Sequence, residues 1–403
     1  MAAADWEHLL TRGVAEVIVR EELLQKLRSG RTLRLKLGFD PSKPDLHVGH
    51  AVVLRKMRQF QDLGHQVVLI VGDWTAQIGD PSGRDTSRQM LTPEEVQANA
   101  QTYIQQFSLI VDAERTEVRW QSEWFGRFTL ADVFRLTSRF TLAQMMQHET
   151  FRQRYEEGRH LSLMELLYPL LQAYDSVAIQ ADVEFGGTDQ KFNILAGREL
   201  QQSLGLPPQD AFLCPLLIGT DGRKMSKSFG NTIDLTTPPR EMYGRVMRID
   251  DAVMMDYYEL LTDVPDAELA EMRRALASGE AHPMELKKRL ARLLVGWLHS
   301  QEEAVRAEEE FERVFQQRQA PEEVPTFVLD REMPLATILS TVGLVPSTSE
   351  ARRLIRQGAV ELDGRRLTDP RATLGPEALP SQGSLLRVGK RRFLRLRPER
   401  VSA

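Results

Sequence analysis

The chain has 403 residues, 27% of them charged and 42% hydrophobic, and a formal net charge of −5, a balance typical of globular proteins with room for two or three domains. No run approaches the roughly 18 consecutive apolar residues of a membrane helix, and MAAADWEHLL lacks the basic and apolar regions of a signal peptide. The single cysteine, Cys214, excludes an internal disulfide and a cysteine-rich zinc site and suits a reducing cytoplasm.

Residues 33–39 read as a buried strand and 67–73 (VVLIVGD) as a second, both rich in Val, Leu and Ile. Between them Val53, Met57 and Phe60 recur at helical spacing, and Gly64 stands as a C-cap. Strand, helix, strand within about 40 residues predicts a parallel βαβ unit. The helix opens on PDLHVGH, residues 44–50, with Asp45 as the expected N-cap. His47 and His50 then share one face of its first turns, where free N–H groups and the helix dipole attract phosphate. Gly49 would let a flat base or ribose approach the backbone. A metal pair is the competing reading, but helical metal histidines are spaced HxxxH and no third ligand is evident, so no metal site is expected. Chance is the third.

IGDPSGR, 78–84, forms a Gly-rich turn carrying Asp80 and Arg84. Residues from about 85 to 165 break the βα alternation and predict an inserted helical segment. LLYPLLQAYDSV places Tyr168, Gln172 and Asp175 at i, i+4 and i+7 on one helix face, either a pocket wall or an ordinary polar stripe. Alternation resumes at VAIQADVEFGG and DAFLCPLLIG, and GGTDQ, 186–190, offers a turn with Asp189 and Gln190 projecting. The loop GTDGRKMSKSFGNTIDL spaces Lys224 and Lys227 three apart among hydroxyls, an arrangement able to close over a polyphosphate; a solvated basic loop is the plain alternative. Residues 250–318 read as charged helices, 319–334 as a Pro-rich linker.

From Arg331 onward there are 14 Lys and Arg against 7 Asp and Glu, which leaves the preceding body at −12. A basic tail suits a polyanion such as nucleic acid, or is merely a solvated surface. Within it, Ser349 is the expected cap of a helix bearing Arg352, Arg353 and Arg356 and ending at Gly358. VELDGRRL predicts a hairpin turning at Asp363-Gly364, and LLRVGKRRFLRLR a second strand pair with Lys390, Arg391 and Arg392.

HVGH followed some 180 residues later by KMSKS resembles the signature pair of the class I aminoacyl-tRNA synthetases, with Val48 where isoleucine is usual. YxxxQxxD (Tyr168, Gln172, Asp175), GGxDQ (Gly186, Gly187, Asp189, Gln190) and GDPSG (79–83) resemble the tyrosyl branch of that class. The tail resembles the alpha-L RNA-binding module of a ribosomal small-subunit protein. The resemblance implies an α/β fold: a Rossmann-like parallel-sheet catalytic domain (1–235, with the inserted segment), a helical anticodon-stem-binding domain (236–318), the linker, and a small α+β RNA-binding domain (335–403).

By the same resemblance, Asp175 would accept a hydrogen bond from the substrate phenol. Asp80, Tyr168 and Gln172 would hold its α-ammonium, and Gln190 would meet its carboxylate. Gly38, Asp40, Gly187 and Asp189 would line the ATP side with Gly49. His47, His50, Lys224, Lys227 and Arg84 would act on the phosphates, with Mg²⁺ arriving on ATP. Arg352, Arg353, Arg356, Lys390, Arg391 and Arg392 would bind tRNA. A homodimer joined through the inserted segment is the family expectation. Two positions depart from the common bacterial pattern: Lys36 stands where a tyrosine usually contacts the phenol, and Arg84 where a lysine is frequent. The alternatives are a tryptophanyl synthetase, an RNA-binding protein on a synthetase scaffold, and a small-molecule nucleotidyltransferase.

Overall fold

The computed structural model describes residues 6–42, 45–82, 91–226, 229–316, 324–389 and 392–399. It falls into two compact units, Met1–Leu298 and His299–Ala403. No helix among the described residues is long and apolar enough to cross a membrane.

The first unit is built on a six-stranded sheet: β1 (Glu16–Ile18), β2 (Arg34–Phe39), β3 (Gln66–Val71), β4 (Thr116–Trp120), β5 (Val183–Gly187) and β6 (Asp210–Cys214). Their order is β1-β6-β5-β2-β3-β4, parallel throughout except for β1, which runs antiparallel to β6. Val67 to Val71 are all buried, because both faces of a parallel sheet are covered by helices. The helix Val48–Asp62 turns Ala51, Leu54, Met57 and Phe60 onto one face. There Phe60 meets Phe185 of β5 and Phe212 of β6 edge-on, with ring centroids 5.4 and 5.5 Å away. Gly64, at φ +95°, turns the chain out of this helix toward β3, as expected of a glycine just past a helix end.

From β2 the chain winds outward through β3 and β4, then returns to place β5 and β6 on the other side. The sheet therefore changes winding direction between β2 and β5, and crevices for ligands form at the carboxyl ends of strands at such a point. β2 and β5 pair only at Leu35–Val183 and Lys36–Glu184. Beyond that rung they carry Asp40 on one side and Gly187 to Gln190 on the other.

The stretch expected to be one helical insertion is mixed. Its first part, the helix Pro93–Phe107 followed by β4, continues the sheet, and short helices at 122–125, 130–137, 142–145 and 149–156 come only afterwards. β4 is an edge strand whose five residues are all half-buried, so it lacks the continuous apolar run of a central strand. β1, only three residues long and flanked by helices, likewise escapes the pattern. Helices Pro239–Val246, Met254–Leu261, Asp266–Ser278 and Pro283–Leu298 complete the unit.

The second unit contains the helix Gln301–Phe311 and a five-stranded sheet ordered Arg365–Leu367, Val360–Leu362, Ser384–Val388, Arg392–Pro398, Thr326–Leu329. Two helices, Leu335–Thr341 and Thr348–Arg356, join its core of Ile338, Leu339, Ile355, Val360, Leu386 and Leu396. The hairpin turns at Asp363-Gly364, both at positive φ, as a two-residue turn requires. Thr326–Leu329, placed in the linker by its flanking prolines, is a strand parallel to Arg392–Pro398. The N-cap of Thr348–Arg356 is Ser347, whose hydroxyl accepts from the Glu350 N–H at 3.2 Å, and Ser349 lies inside the first turn.

Candidate active site

The helix Val48–Asp62 starts later than expected: its N-cap is His47, and Asp45 lies outside it. His50 is then the third helical residue, and its Nδ1 accepts from the His47 backbone N–H at 3.1 Å. The two imidazoles pack against each other with centroids 3.9 Å apart and planes tilted by 33°. A Cβ at Gly49 would stand 2.9 Å from His47 Nδ1, so this glycine makes room for the histidine ring as well as for any ligand.

The KMSKS loop is tied to this helix start. The Val48 N–H donates to the Ile233 carbonyl at 2.9 Å, and the Leu235 N–H to the Leu46 carbonyl at 2.8 Å. Met225 of the loop lies 3.7 Å from where a Gly49 Cβ would be. Lys224 Nζ reaches across to Asp189 Oδ2 at 2.7 Å, linking the loop to the GGTDQ turn. Gly187 has no room for a side chain, since a Cβ would meet Asp189 Oδ1 at 2.6 Å. Gly38 faces open space, with no atom within 4 Å of a would-be Cβ. Lys227 and Arg84, like Lys390 and Arg391 of the tail, lie outside the described residues.

On the helix Leu163–Ala178, Leu166, Leu167, Leu170 and Leu171 pack with Ala196 and Leu200, while Tyr168, Gln172 and Asp175 make polar contacts with other elements. Tyr168 donates to Asp40 Oδ2 at 2.9 Å, and Thr75 holds the other Asp40 oxygen at 2.7 Å. Gln190 Nε2 donates to Asp80 Oδ2 at 2.7 Å. Burial holds Asp80 above the usual carboxylate range, and burial together with Asp40 pushes the Tyr168 phenol well up.

Asp175 is 1% exposed. Its oxygens accept from Gln121 Nε2 at 2.8 Å and from Trp124 Nε1 at 3.1 Å. Burial raises its pKa to about 7, opposed by Lys36 and the Gln121 hydrogen bond. Sequence reasoning found neither Gln121 nor Trp124; they follow a polar edge strand and belong to no motif. It also left Lys36 as an unexplained departure. Lys36 is fully buried, 2.9 Å from Glu184 Oε1. In the second unit Arg352, Arg353, Arg356 and Arg392 are exposed; Arg353 pairs with Glu350 at 2.6 Å, and Arg392 bonds the Leu344 carbonyl.

A sheet that opens at β2 and β5, with the histidine and lysine segments laced together at its mouth, is the catalytic fold of a class I aminoacyl-tRNA synthetase. Accordingly, residues 28–316 match the family described as tRNA synthetases class I (W and Y), and residues 333–379 match the S4 domain. The chain is 52% identical over 390 residues to a tyrosine–tRNA ligase of Dehalococcoides mccartyi, covering 96% of this chain and 97% of that one. A counterpart from Thermotoga maritima is 48% identical over 389 residues, covering 96% of each. Among solved structures, a tyrosyl-tRNA synthetase of Archaeoglobus fulgidus complexed with L-tyrosine aligns at TM-score 0.61 and 25% identity, over 75% of this chain and 98% of that one. The chain belongs to the tyrosine–tRNA ligase family. It is an aminoacyl-tRNA ligase, and neither the tryptophan-specific reading nor the inactive scaffold is favoured.

Proposed function

We propose that this crevice activates L-tyrosine with ATP, carried as its Mg²⁺ complex, and passes the tyrosyl group to the 3′ end of its tRNA. The observation that carries the reading is the backbone pairing of Leu46 and Val48, beside the imidazoles, with Ile233 and Leu235, just beyond the lysine loop. In the first step the tyrosine carboxylate attacks the α-phosphorus and pyrophosphate leaves. No protein nucleophile is needed, only alignment and compensation of phosphate charge. His47 and His50 contact the phosphates; Lys224 and Lys227 close over the leaving pyrophosphate, with Arg84 assisting. Gly38, Gly49, Gly187 and Asp189 complete the nucleotide wall together with Asp40.

Asp80, Tyr168 and Gln172 take the α-ammonium, Gln190 the carboxylate, and Asp175 the phenol proton. The terminal ribose hydroxyl of the tRNA then attacks the activated carbonyl of the adenylate, forming the ester as AMP leaves. The helices of 236–318 take the anticodon stem, and the domain from 335 onward uses Arg352, Arg353, Arg356, Lys390, Arg391 and Arg392 on phosphates. We place the enzyme in the cytoplasm as a homodimer. Leu130, Phe134, Leu142 and Leu163 stand more than 60% exposed on the segment assigned to the dimer contact, and so much uncovered apolar surface favours a partner. The test is exchange of pyrophosphate into ATP with each amino acid in turn. Tyrosine alone should support it; exchange with tryptophan in place of tyrosine, or none at all, would overturn the reading.

A further inference from the structure

The buried pair under the crevice is engaged by groups of the protein itself. Lys36 and Glu184 are 0% and 1% exposed and face each other on the last rung shared by β2 and β5. Lys36 Nζ donates to the Gln172 carbonyl and to the Ser176 hydroxyl, both at 2.8 Å, and lies 2.9 Å from Glu184 Oε1 as an ion pair. With no exposed surface, two hydrogen bonds and an ion pair, the ammonium is committed to groups of the protein itself. Glu184 is equally committed. Its Oε1 accepts from Gln172 Nε2 at 3.0 Å, and its Oε2 from Ser176 Oγ at 3.1 Å and from the Gln209 amide. Four of these bonds run to Gln172 and Ser176, the two ends of the helical turn that carries Asp175.

We propose that Lys36 and Glu184 are positioning residues for amino-acid selection: they fix the turn that presents Asp175 and set a cation behind its carboxylate, without touching the substrate. The proposal rests on the reading of Asp175 as the phenol acceptor. It accounts for a lysine where a phenol-contacting tyrosine is the commoner choice. A buried ion pair contributes little net stability once desolvation is counted, but it punishes misplacement of either partner, which suits a role in specificity. The groups facing Asp175 are Lys36 from β2, Glu184 from β5, Gln121 and Trp124 from beyond β4, and Tyr168 from its own helix, with Asp40 and Asp80 behind the Tyr168 hydroxyl. Of the two charged neighbours, Lys36 favours the ionised carboxylate and Glu184 opposes it.

The test uses the full chain in pyrophosphate exchange with tyrosine and phenylalanine, comparing wild type, Lys36→Met, Glu184→Gln and the double variant, with thermal melts alongside. Each single variant should lower the tyrosine-to-phenylalanine ratio of kcat/KM roughly tenfold or more through a raised KM for tyrosine, with KM for ATP unchanged. In Lys36→Met the acid limb of tyrosine binding should also move to higher pH. The double variant leaves no lone buried charge, so it should keep the fold and still show the lowered ratio. A folded double variant with the wild-type ratio overturns the proposal. So does Glu184→Gln with an intact ratio beside a crippled Lys36→Met, which would make Lys36 a direct substrate contact. Asp175→Asn, run in parallel, separates the two levels: an unchanged ratio there refutes the phenol reading itself, whatever the pair does.

Discussion

At the scale of single residues, charge placement decides what the crevice does. Asp175 accepts one N–H donor on each oxygen, and only when ionised does it keep acceptor capacity on both oxygens for a further hydrogen bond. The ionised form is therefore the one that can take a phenol proton as well. Its pKa is raised to about 7, so the ionised fraction falls as pH drops through that value. The KM for tyrosine should rise below pH about 7 while KM for ATP stays level, and Asp175→Asn should flatten the tyrosine profile. A profile with no break near neutrality in the wild type would count against the assignment. Lys224 tests the other half of the site. It spans 2.7 Å to Asp189, on the lip opposite its own loop. Lys224→Ala should slow adenylate formation on the order of 10²-fold in pre-steady-state measurements, as for loss of one preorganised charge. Tyrosine affinity should change within about twofold, because the interaction strengthens only in the transition state.

At the scale of elements, the helix start at His47 shows how closely backbone and chemistry are fitted. Gly49→Ala would drive a methyl into the His47 ring, which the added carbon approaches to 2.9 Å. The expected result is slower adenylation with an undisturbed melting temperature, since the change sits at the helix edge and not in the core; loss of stability instead would relocate its importance to packing. The helix itself was legible, because Val53, Met57 and Phe60 recur at its period, but its first residue was not. Asp45 is the better capping residue by type, yet the pairing of Val48 with Ile233 lets His47 take the position. Ser347 displaced Ser349 in the same way, both being adequate caps two residues apart. Spacing put the motif residues of Leu163–Ala178 on one helix face but left a pocket wall and an ordinary polar stripe both open. Gln121 and Trp124 were not legible, since their part in the site depends on β4, whose half-buried edge leaves no periodic trace. Lys36 was visible as a departure and opaque as to purpose, because its partner Glu184 lies almost 150 residues away across a single strand rung.

At the scale of the whole molecule, sequence composition already separated an acidic body from a basic tail, and the fold gives that tail a core of its own. The exposed arginines on Thr348–Arg356 should contribute to tRNA affinity through phosphates, not through sequence. Arg352→Glu with Arg356→Glu should raise the KM for tRNA and shallow its dependence on salt, leaving tyrosine-dependent pyrophosphate exchange as it was; a fall in exchange would show that the helix serves the catalytic unit. Phe134→Asp, at a 63% exposed position, should shift sedimentation toward the monomer if that face joins two copies. The tether between Leu46, Val48 and the Ile233–Leu235 segment has a consequence for how such a chain can change over time. Two main-chain bonds join the histidine stretch to the chain just beyond the lysine loop, and main-chain bonds do not depend on side-chain identity. Stretches between them that carry no site residue can therefore be lengthened or shortened without breaking the tether, whereas a proline at position 48 or 235, which removes one of its two N–H donors, should loosen it.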